Sequence, residues 1–142
     1  MSTPAPVDGA GIVERLLPAP TGGLVVEPHL AAIEAQAVVA DRTRILDPAL
    51  IEGLRGSDVM RLSADVSLGG LAASVSQIGR ELEAVAARCP STAWCLWNHL
   101  AVFHLFAGAL GPDHAGRLGD IVTAGRWVSF PAGAGSGVRA NV

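Results

Sequence analysis

Hydrophobic residues recur at helical spacing along most of this chain, and proline and glycine residues separate the helical stretches. A first helix is predicted from Pro28 to Leu46, with a narrow apolar stripe on one side. Asp47-Pro48 predicts the start of a short second helix, because Asp caps free amides and Pro fits the first helical turn. A third helix is predicted from Leu71 to Arg88, after the break at Gly69-Gly70. The pattern therefore predicts a mainly α-helical protein.

A fourth helix is predicted up to Leu110 and is apolar almost all round, which predicts the central and most buried element. Pro90 ends the preceding helix, and Ser91 or Thr92 offers a hydroxyl to cap this one.

In the third helix the charged residues lie away from the apolar positions, so we expect the apolar face of this helix to pack on the core. These charged residues are Arg80, Glu81, Glu83 and Arg88.

The two ends of the chain differ from this helical middle. Residues 1–26 hold four prolines and several glycines, a composition typical of a loosely ordered leader. After a short helix to about Leu118, β-favouring residues from Ile121 to Phe130 predict a strand, followed by a flexible glycine-rich loop. The predicted organisation is a leader (1–26), a helical domain (27–120) and a strand with its loop (121–142).

Composition limits the classes of function. The 142 residues, half of them hydrophobic, suit one domain with a single core. The formal net charge is −3 and the ten basic residues, all arginines, are scattered, so no nucleic-acid partner is expected. The first residues carry no basic and apolar signal, so we expect a cytoplasmic location.

The stretch from Ala93 to Leu110 is just long and apolar enough for a membrane span to be considered. Asn98, His99 and His104 lie at its centre, where polar groups are costly in lipid, and no basic residue flanks its end. We therefore expect a buried helix of a soluble protein and no membrane partner.

Several kinds of active site are disfavoured by spacing. His99 and His104 are five residues apart, about 140° around a helix, whereas zinc-binding pairs favour a spacing of four. No metal site is expected. Cys89 and Cys95 are six apart, which disfavours a mutual disulfide. No Gly-x-Ser-x-Gly sequence follows a strand and opens a helix, which disfavours a serine hydrolase.

Polar side chains inside the central helix are the strongest sign of function. Asn98 and His99 lie among aromatic residues, and a buried polar group without a partner costs about 1–3 kcal/mol. These groups either satisfy backbone carbonyls at a helix crossing or line a ligand pocket, and the residue types leave both possibilities open.

Two segments resemble one protein family. The segment from Arg80 through Cys89-Pro90-Ser91-Thr92-Ala93-Trp94 resembles the helix pair of acyl-CoA dehydrogenase-like flavoproteins. Its closest likeness is to the branch of flavin-dependent monooxygenases that act on aromatic and polyketide substrates. Trp127 to Ala140 is similar to the family's flavin-contacting loop, with its small-Gly-Ser core at Ala134-Gly135-Ser136. Pro131 and Gly137 stand where dehydrogenases have Glu and Asp.

The resemblance covers roughly residues 28–140 and implies the N-terminal helical bundle of the acyl-CoA dehydrogenase fold. A C-terminal extended segment would begin an incomplete β domain. FAD or FMN is the implied cofactor. The residues implied to contact the flavin are Ser129, Phe130, Gly135 and Ser136, and those implied to line the substrate pocket are Ser91, Trp94, Asn98 and His99.

The implied function is that of a fragment or split piece of a flavin-dependent oxidoreductase. It would oxidise or oxygenate a small organic or thioester-bound substrate, and the chain alone is expected to bind flavin weakly, since a strand without neighbours cannot hold a cofactor. The alternative is a non-catalytic helical interaction module that retains the fold. A homo-oligomer or association with a complementary chain is expected, because absent domains would leave apolar surface uncovered.

Overall fold

The computed structural model describes residues 22–129, and within that range it is mainly helical and contains no β-strand. The predicted mainly α class is thus confirmed for this part of the chain. The helices are α1 (Leu30–Thr43), α2 (Pro48–Arg55), α3 (Val75–Ala86), α4 (Pro90–Leu110) and α5 (Ala115–Thr123). Short 3-10 turns lie at Glu27–His29, Asp58–Arg61, Val66–Leu68 and Pro112–His114.

Helix α4 is the central element and contacts two hydrophobic clusters. Around its first half, Leu96 and Leu100 pack with Ile33 of α1, Leu54 of α2 and Val85 of α3. The second cluster is smaller and lies around the middle of α4. It consists of Ala64, Phe103, Leu118 and Val122.

Local signals fix one end of each of the first three helices. The Asp47 carboxylate accepts a hydrogen bond from the Ala49 amide at 2.8 Å, which confirms the predicted cap of α2. Helix α1 is shorter than expected and ends at Thr43, because Arg44 takes a left-handed conformation with φ of 60°. Helix α3 begins at Val75 rather than Leu71, because the Ser74 hydroxyl accepts a bond from the Gln77 amide.

The predicted cap of α4 is wrong. Pro90 is its first residue, preceded by Cys89, and the side chain of Cys89 makes no capping bond. Thr92 lies inside the helix, where its buried hydroxyl accepts a bond from Nε2 of Gln36 at 2.9 Å. Ser91, the other candidate cap, is also helical.

Helix α4 is central, as predicted, but it is not buried all round. Trp94 is 65% exposed and Leu105 is 69% exposed. Only a third of the most apolar 18-residue window of α4 is buried. By length and composition α4 could cross a membrane, a property that core helices of soluble proteins share.

The strand predicted from Ile121 to Phe130 is wrong for the described residues. Helix α5 continues through Thr123, and the stretch 126–129 has no regular structure. Leu118 and Val122, one helical turn apart, bury against the second cluster, so packing overrides the β propensity of the local sequence. The helical region thus extends past residue 120, and the predicted glycine-rich loop lies outside the described residues.

The N-terminal boundary also shifts. Val26 is fully buried, and the amides of Val25 and Val26 both donate to the carboxylate of Glu81. Residues 24–26 are therefore part of the packed body rather than of the leader predicted for 1–26, whose first 21 residues lie outside the described range. Glu81 itself, which the pattern placed away from the core-facing residues, is only 1% exposed.

Candidate functional site

The four residues implied to line a substrate pocket lie on two different sides of α4. His99 is 3% exposed and faces the interior. Ser91 and Asn98 are half-buried, and Trp94 is exposed on the outer side of the helix. Because each residue turns an α-helix by about 100°, Trp94 lies about 140° around the helix from His99. The structure does not bring the four together in a pocket.

Both ring nitrogens of His99 are paired with backbone groups. Nδ1 accepts a hydrogen bond from the Val128 amide at 3.0 Å, and Nε2 lies 3.0 Å from the carbonyl oxygen of Met60. Since Nδ1 accepts, Nε2 carries the proton and donates to Met60. The ring also packs against Trp127, with ring centroids 5.6 Å apart. His99 thus satisfies main-chain groups and ties the segment after α5 to the central helix.

This arrangement predicts a stability that depends on pH. Burial lowers the pKa of His99 below its ordinary value of 6.5, and a proton on Nδ1 would face the Val128 amide donor. In the unfolded chain His99 binds a proton more readily than in the folded protein. The contribution of neutral His99 to the free energy of unfolding is therefore fully present above pH 6.5 and is lost as the pH falls through 6.5. We expect a lower urea midpoint at about pH 5 than at about pH 8.

The control for this pH effect is His114, an exposed histidine at the start of α5. Urea unfolding of His99→Gln should show a weaker dependence on pH than the unchanged protein, whereas His114→Gln should keep the full dependence. If His99→Gln and His114→Gln respond equally to pH, the buried ring does not set the dependence.

A groove of about 530 Å³ lies along another side of α4. One wall is formed by residues of α4 that recur every three or four positions. They are Trp97, Leu100, Ala101, His104, Ala107 and Gly108. The facing wall comes from residues 63–73 and from Val75 and Ile78 of α3. The helical spacing on α4 is the sequence signal for this face, whereas the predicted pocket residues Ser91, Trp94, Asn98 and His99 do not line the groove.

The facing wall is held by a close approach between two chain segments. The amides of Leu71, Ala72 and Ala73 donate to carbonyls of residues 61–64, at 2.8 to 3.0 Å. This contact requires glycine at position 70, since a Cβ there would lie 2.1 Å from the carbonyl oxygen of Ala64. The Gly69-Gly70 break in the sequence thus shapes the groove as well as preceding a helix.

The groove is apolar apart from a few polar groups. The Ser63 hydroxyl donates to the carbonyl of Leu100 at 2.9 Å, so it is used within the protein. Asp65 is exposed, and hydrogen bonds from the side chain and amide of Ser67 lower the pKa of its carboxyl. The carboxylate of Asp65 and the exposed imidazole of His104 are therefore the polar groups available to a molecule bound there.

Of the four residues implied to contact a flavin, the structure describes Ser129. It is exposed, at the end of the irregular stretch after α5. No strand lies beside it in residues 22–129, so the described residues alone form no cofactor cradle. Phe130, Gly135 and Ser136 lie outside the described range.

Other ligand chemistry is not supported within the described residues. Residues 22–129 contain no cluster of three or more His, Cys, Asp or Glu side chains that could hold a metal ion. Cys89 is a buried free thiol, and burial raises the pKa of the half-buried Cys95 thiol, so the reactive thiolate form is disfavoured.

No protein-family model, curated protein or solved structure matches this chain. The groove along α4 is therefore identified as the candidate site by its shape and its chemistry.

Proposed function

We propose that this chain is the helical part of a flavin-dependent oxidoreductase of the acyl-CoA dehydrogenase-like type. In this proposal the groove along α4 takes the apolar part of a small organic or thioester-bound substrate. The observation that carries the proposal is the groove, whose volume of about 530 Å³ and mostly apolar walls are typical of small-molecule sites. It lies on the same helix whose first turn carries the resembling segment from Cys89 to Trp94.

The walls suggest how a substrate would be held. Leu100, Val75 and Ile78 would cover an acyl chain or an aromatic ring and exclude water from it. The indole of Trp97 adds a flat apolar surface, while Asp65 and His104 could bind a polar end. The flavin, when bound, would supply two-electron oxidation or oxygenation. The role of this chain's own residues is to bind and orient the substrate.

Val75 offers a direct test of the groove. Val75 lines the groove and is 72% exposed, whereas Val66 lies outside it and is 69% exposed. We expect Val75→Asp to weaken the binding of a saturated medium-chain acyl thioester about tenfold or more, because the new carboxylate would be desolvated by the ligand. Val66→Asp should leave binding unchanged. Tryptophan fluorescence titration measures both affinities.

Folding of the test variant should be preserved, since Val75 is the first residue of α3 and an acidic side chain is favourable near a helix N-terminus. Equal affinities of Val75→Asp and Val66→Asp, or no saturable binding of the thioester or of a substituted phenol, would contradict a substrate site in the groove.

The flavin part of the proposal needs a separate experiment. Titration with FAD and FMN should show weak binding to this chain alone and tight binding to a fusion that adds the β domain and C-terminal helices of a family member. Tight flavin binding by the chain alone would show that it is not an incomplete piece. A folded fusion that binds no flavin would contradict the family assignment.

A second candidate function is favoured by the uncovered side of α4. A helix face with several large exposed apolar side chains, here Trp94, Trp97 and Leu105, is typical of a protein interaction surface. A non-catalytic interaction module would show such a surface without ligand binding in the groove, so the thioester titration separates the two functions.

A further inference from the structure

One side of α4 carries five residues that we call the outer seam: Trp94, Trp97, Ala101, Leu105 and Gly108. Their spacing of three or four places them on one side of the helix. Trp97, Ala101 and Gly108 also form one edge of the groove, whereas Trp94 and Leu105 lie outside it. Trp94 and Trp97 stack with ring centroids 5.0 Å apart, yet they remain 65% and 47% exposed, and Leu105 is 69% exposed. Such a continuous apolar patch is unfavourable in water unless another surface covers it.

The sizes of the seam residues are complementary when the helix is reversed. Positions 94 and 108 are equally far from Ala101, and so are positions 97 and 105. In two antiparallel copies, Trp94 would face Gly108 of the second copy, and Trp97 would face Leu105. The large indole of Trp94 would thus meet a glycine, and a Cβ at Gly108 would find no atom within 4 Å, so that space is open.

The absence of charged residues also allows two copies of α4 to pack against each other. From Cys89 to Pro112 the chain contains no Asp, Glu, Lys or Arg, so two copies of α4 would bring no like charges together. The small Ala101 at the centre would let the two helices approach closely, as small residues do at helix crossings.

We propose that two copies of this chain associate through the outer seam, with the α4 helices antiparallel and the two-fold axis at Ala101. This inference does not rest on the proposed function, although the dimer would cover the edge of the groove formed by Trp97, Ala101 and Gly108. The exposed parts of Trp94 and Trp97 supply roughly 250 Å² per copy, and the remaining seam residues add to this. Because a standard stable interface buries about 800 Å² per partner, we expect a micromolar dimer.

The first test measures mass against concentration. Sedimentation equilibrium should show a mass that rises from 14.5 kDa towards twice that value over the micromolar range. Leu105→Glu should raise the dissociation constant about 100-fold, because each copy would bury an unpaired carboxylate. Val38→Glu is the matched control, since Val38 is 70% exposed on α1, and it should dimerise normally. Circular dichroism confirms that both variants are folded.

The second test measures the register. In a Cys95→Ser background, Ala101→Cys should form an intermolecular disulfide on oxidation, since the axis brings the two positions together. Gly108→Cys should not, because the two copies of position 108 would be separated by about 21 Å along the helices. Cross-linking at both positions indicates parallel helices and overturns the proposed arrangement.

Two further outcomes would overturn the dimer itself. One is a monomer at all concentrations, or equal dissociation constants for Leu105→Glu and Val38→Glu. The other is a monomer that sediments with phosphatidylcholine vesicles and loses this property in Leu105→Glu, which would make the outer seam a lipid-binding surface. Leu105 does not line the groove and Val75 is not part of the seam, so Leu105→Glu tests the dimer and Val75→Asp tests thioester binding, and the two proposals fail separately.

Discussion

Replacement of Glu81 by alanine is expected to lower the free energy of unfolding by about 3–5 kcal/mol, because several polar groups would lose their partner at once. Glu81 is 1% exposed, and its two oxygens accept bonds from the Val25 amide at 2.8 Å and the Val26 amide at 2.9 Å. Gln77 donates a third bond at 2.6 Å. Glu81→Ala would leave the amides of Val25 and Val26 inside the protein without an acceptor.

Glu81→Gln gives an intermediate case. The amide keeps the shape of the side chain but has one acceptor oxygen, so one backbone amide would face an NH₂ group, at a cost of about 1–3 kcal/mol. Urea unfolding followed by circular dichroism measures both variants. Glu83→Ala, on the exposed side of α3, is the control and should change stability by no more than about 0.5 kcal/mol. Equal values for Glu81→Ala and Glu83→Ala would mean that the carboxylate does not hold residues 25–26 in place.

Glu81 illustrates which contacts a sequence pattern cannot reveal. An acidic residue away from the apolar positions of a helix is ordinarily solvent-exposed, and that is how the pattern places Glu81. Its partners lie 55 and 56 residues away, at the end of a proline-rich segment that gave no sign of packing. Periodicity describes one element at a time, so it contains no information about backbone donors that arrive from a distant segment.

The helices themselves were easier to predict than their surroundings. The Asp47-Pro48 start of α2 and the end of α4 at Leu110 follow from a local cap, proline positions and an apolar run, and the structure confirms them. Because α4 is apolar on every side, its sequence could not show which side faces the core and which side lines the groove. That choice depends on how residues 61–73 and α3 pack against it.

The residues that line the candidate site also could not be predicted from the pattern of α4 alone. Asn98 and His99 attracted attention because polar residues in an apolar helix need partners, and for His99 the partners turned out to be the backbone groups of Met60 and Val128. Trp97 and His104 line the groove instead, together with small residues that carry no chemical signature. The second wall is created by the close approach of residues 70–73 to 61–64 together with the start of α3.

A second large loss of folding stability is expected from a substitution at Gly125, near the end of the described residues. Gly125 is buried and has φ of +57°, a conformation that favours glycine. A Cβ at this position would lie 1.9 Å from the carbonyl oxygen of Arg55, at the end of α2. We expect Gly125→Ala to lower the free energy of unfolding by about 2–4 kcal/mol, from backbone strain and from displacement of the chain away from α2.

Gly116→Ala is the control for this prediction, since Gly116 lies within α5 and an added Cβ would meet nothing within 4 Å. It should stabilise the protein by up to about 1 kcal/mol, the helix propensity difference between the two residues. Hydrogen exchange at the Val128 amide shows where Gly125→Ala acts, because this amide bonds to His99 only while the segment after α5 is in place. If exchange becomes faster at Val128 and stays the same in α3, the stretch after α5 detaches locally. If neither the stability nor the exchange at Val128 changes, the close contact between Gly125 and α2 is contradicted. Local detachment would also mean that packing against α2 and His99 holds residues 126–129 beside the central helix.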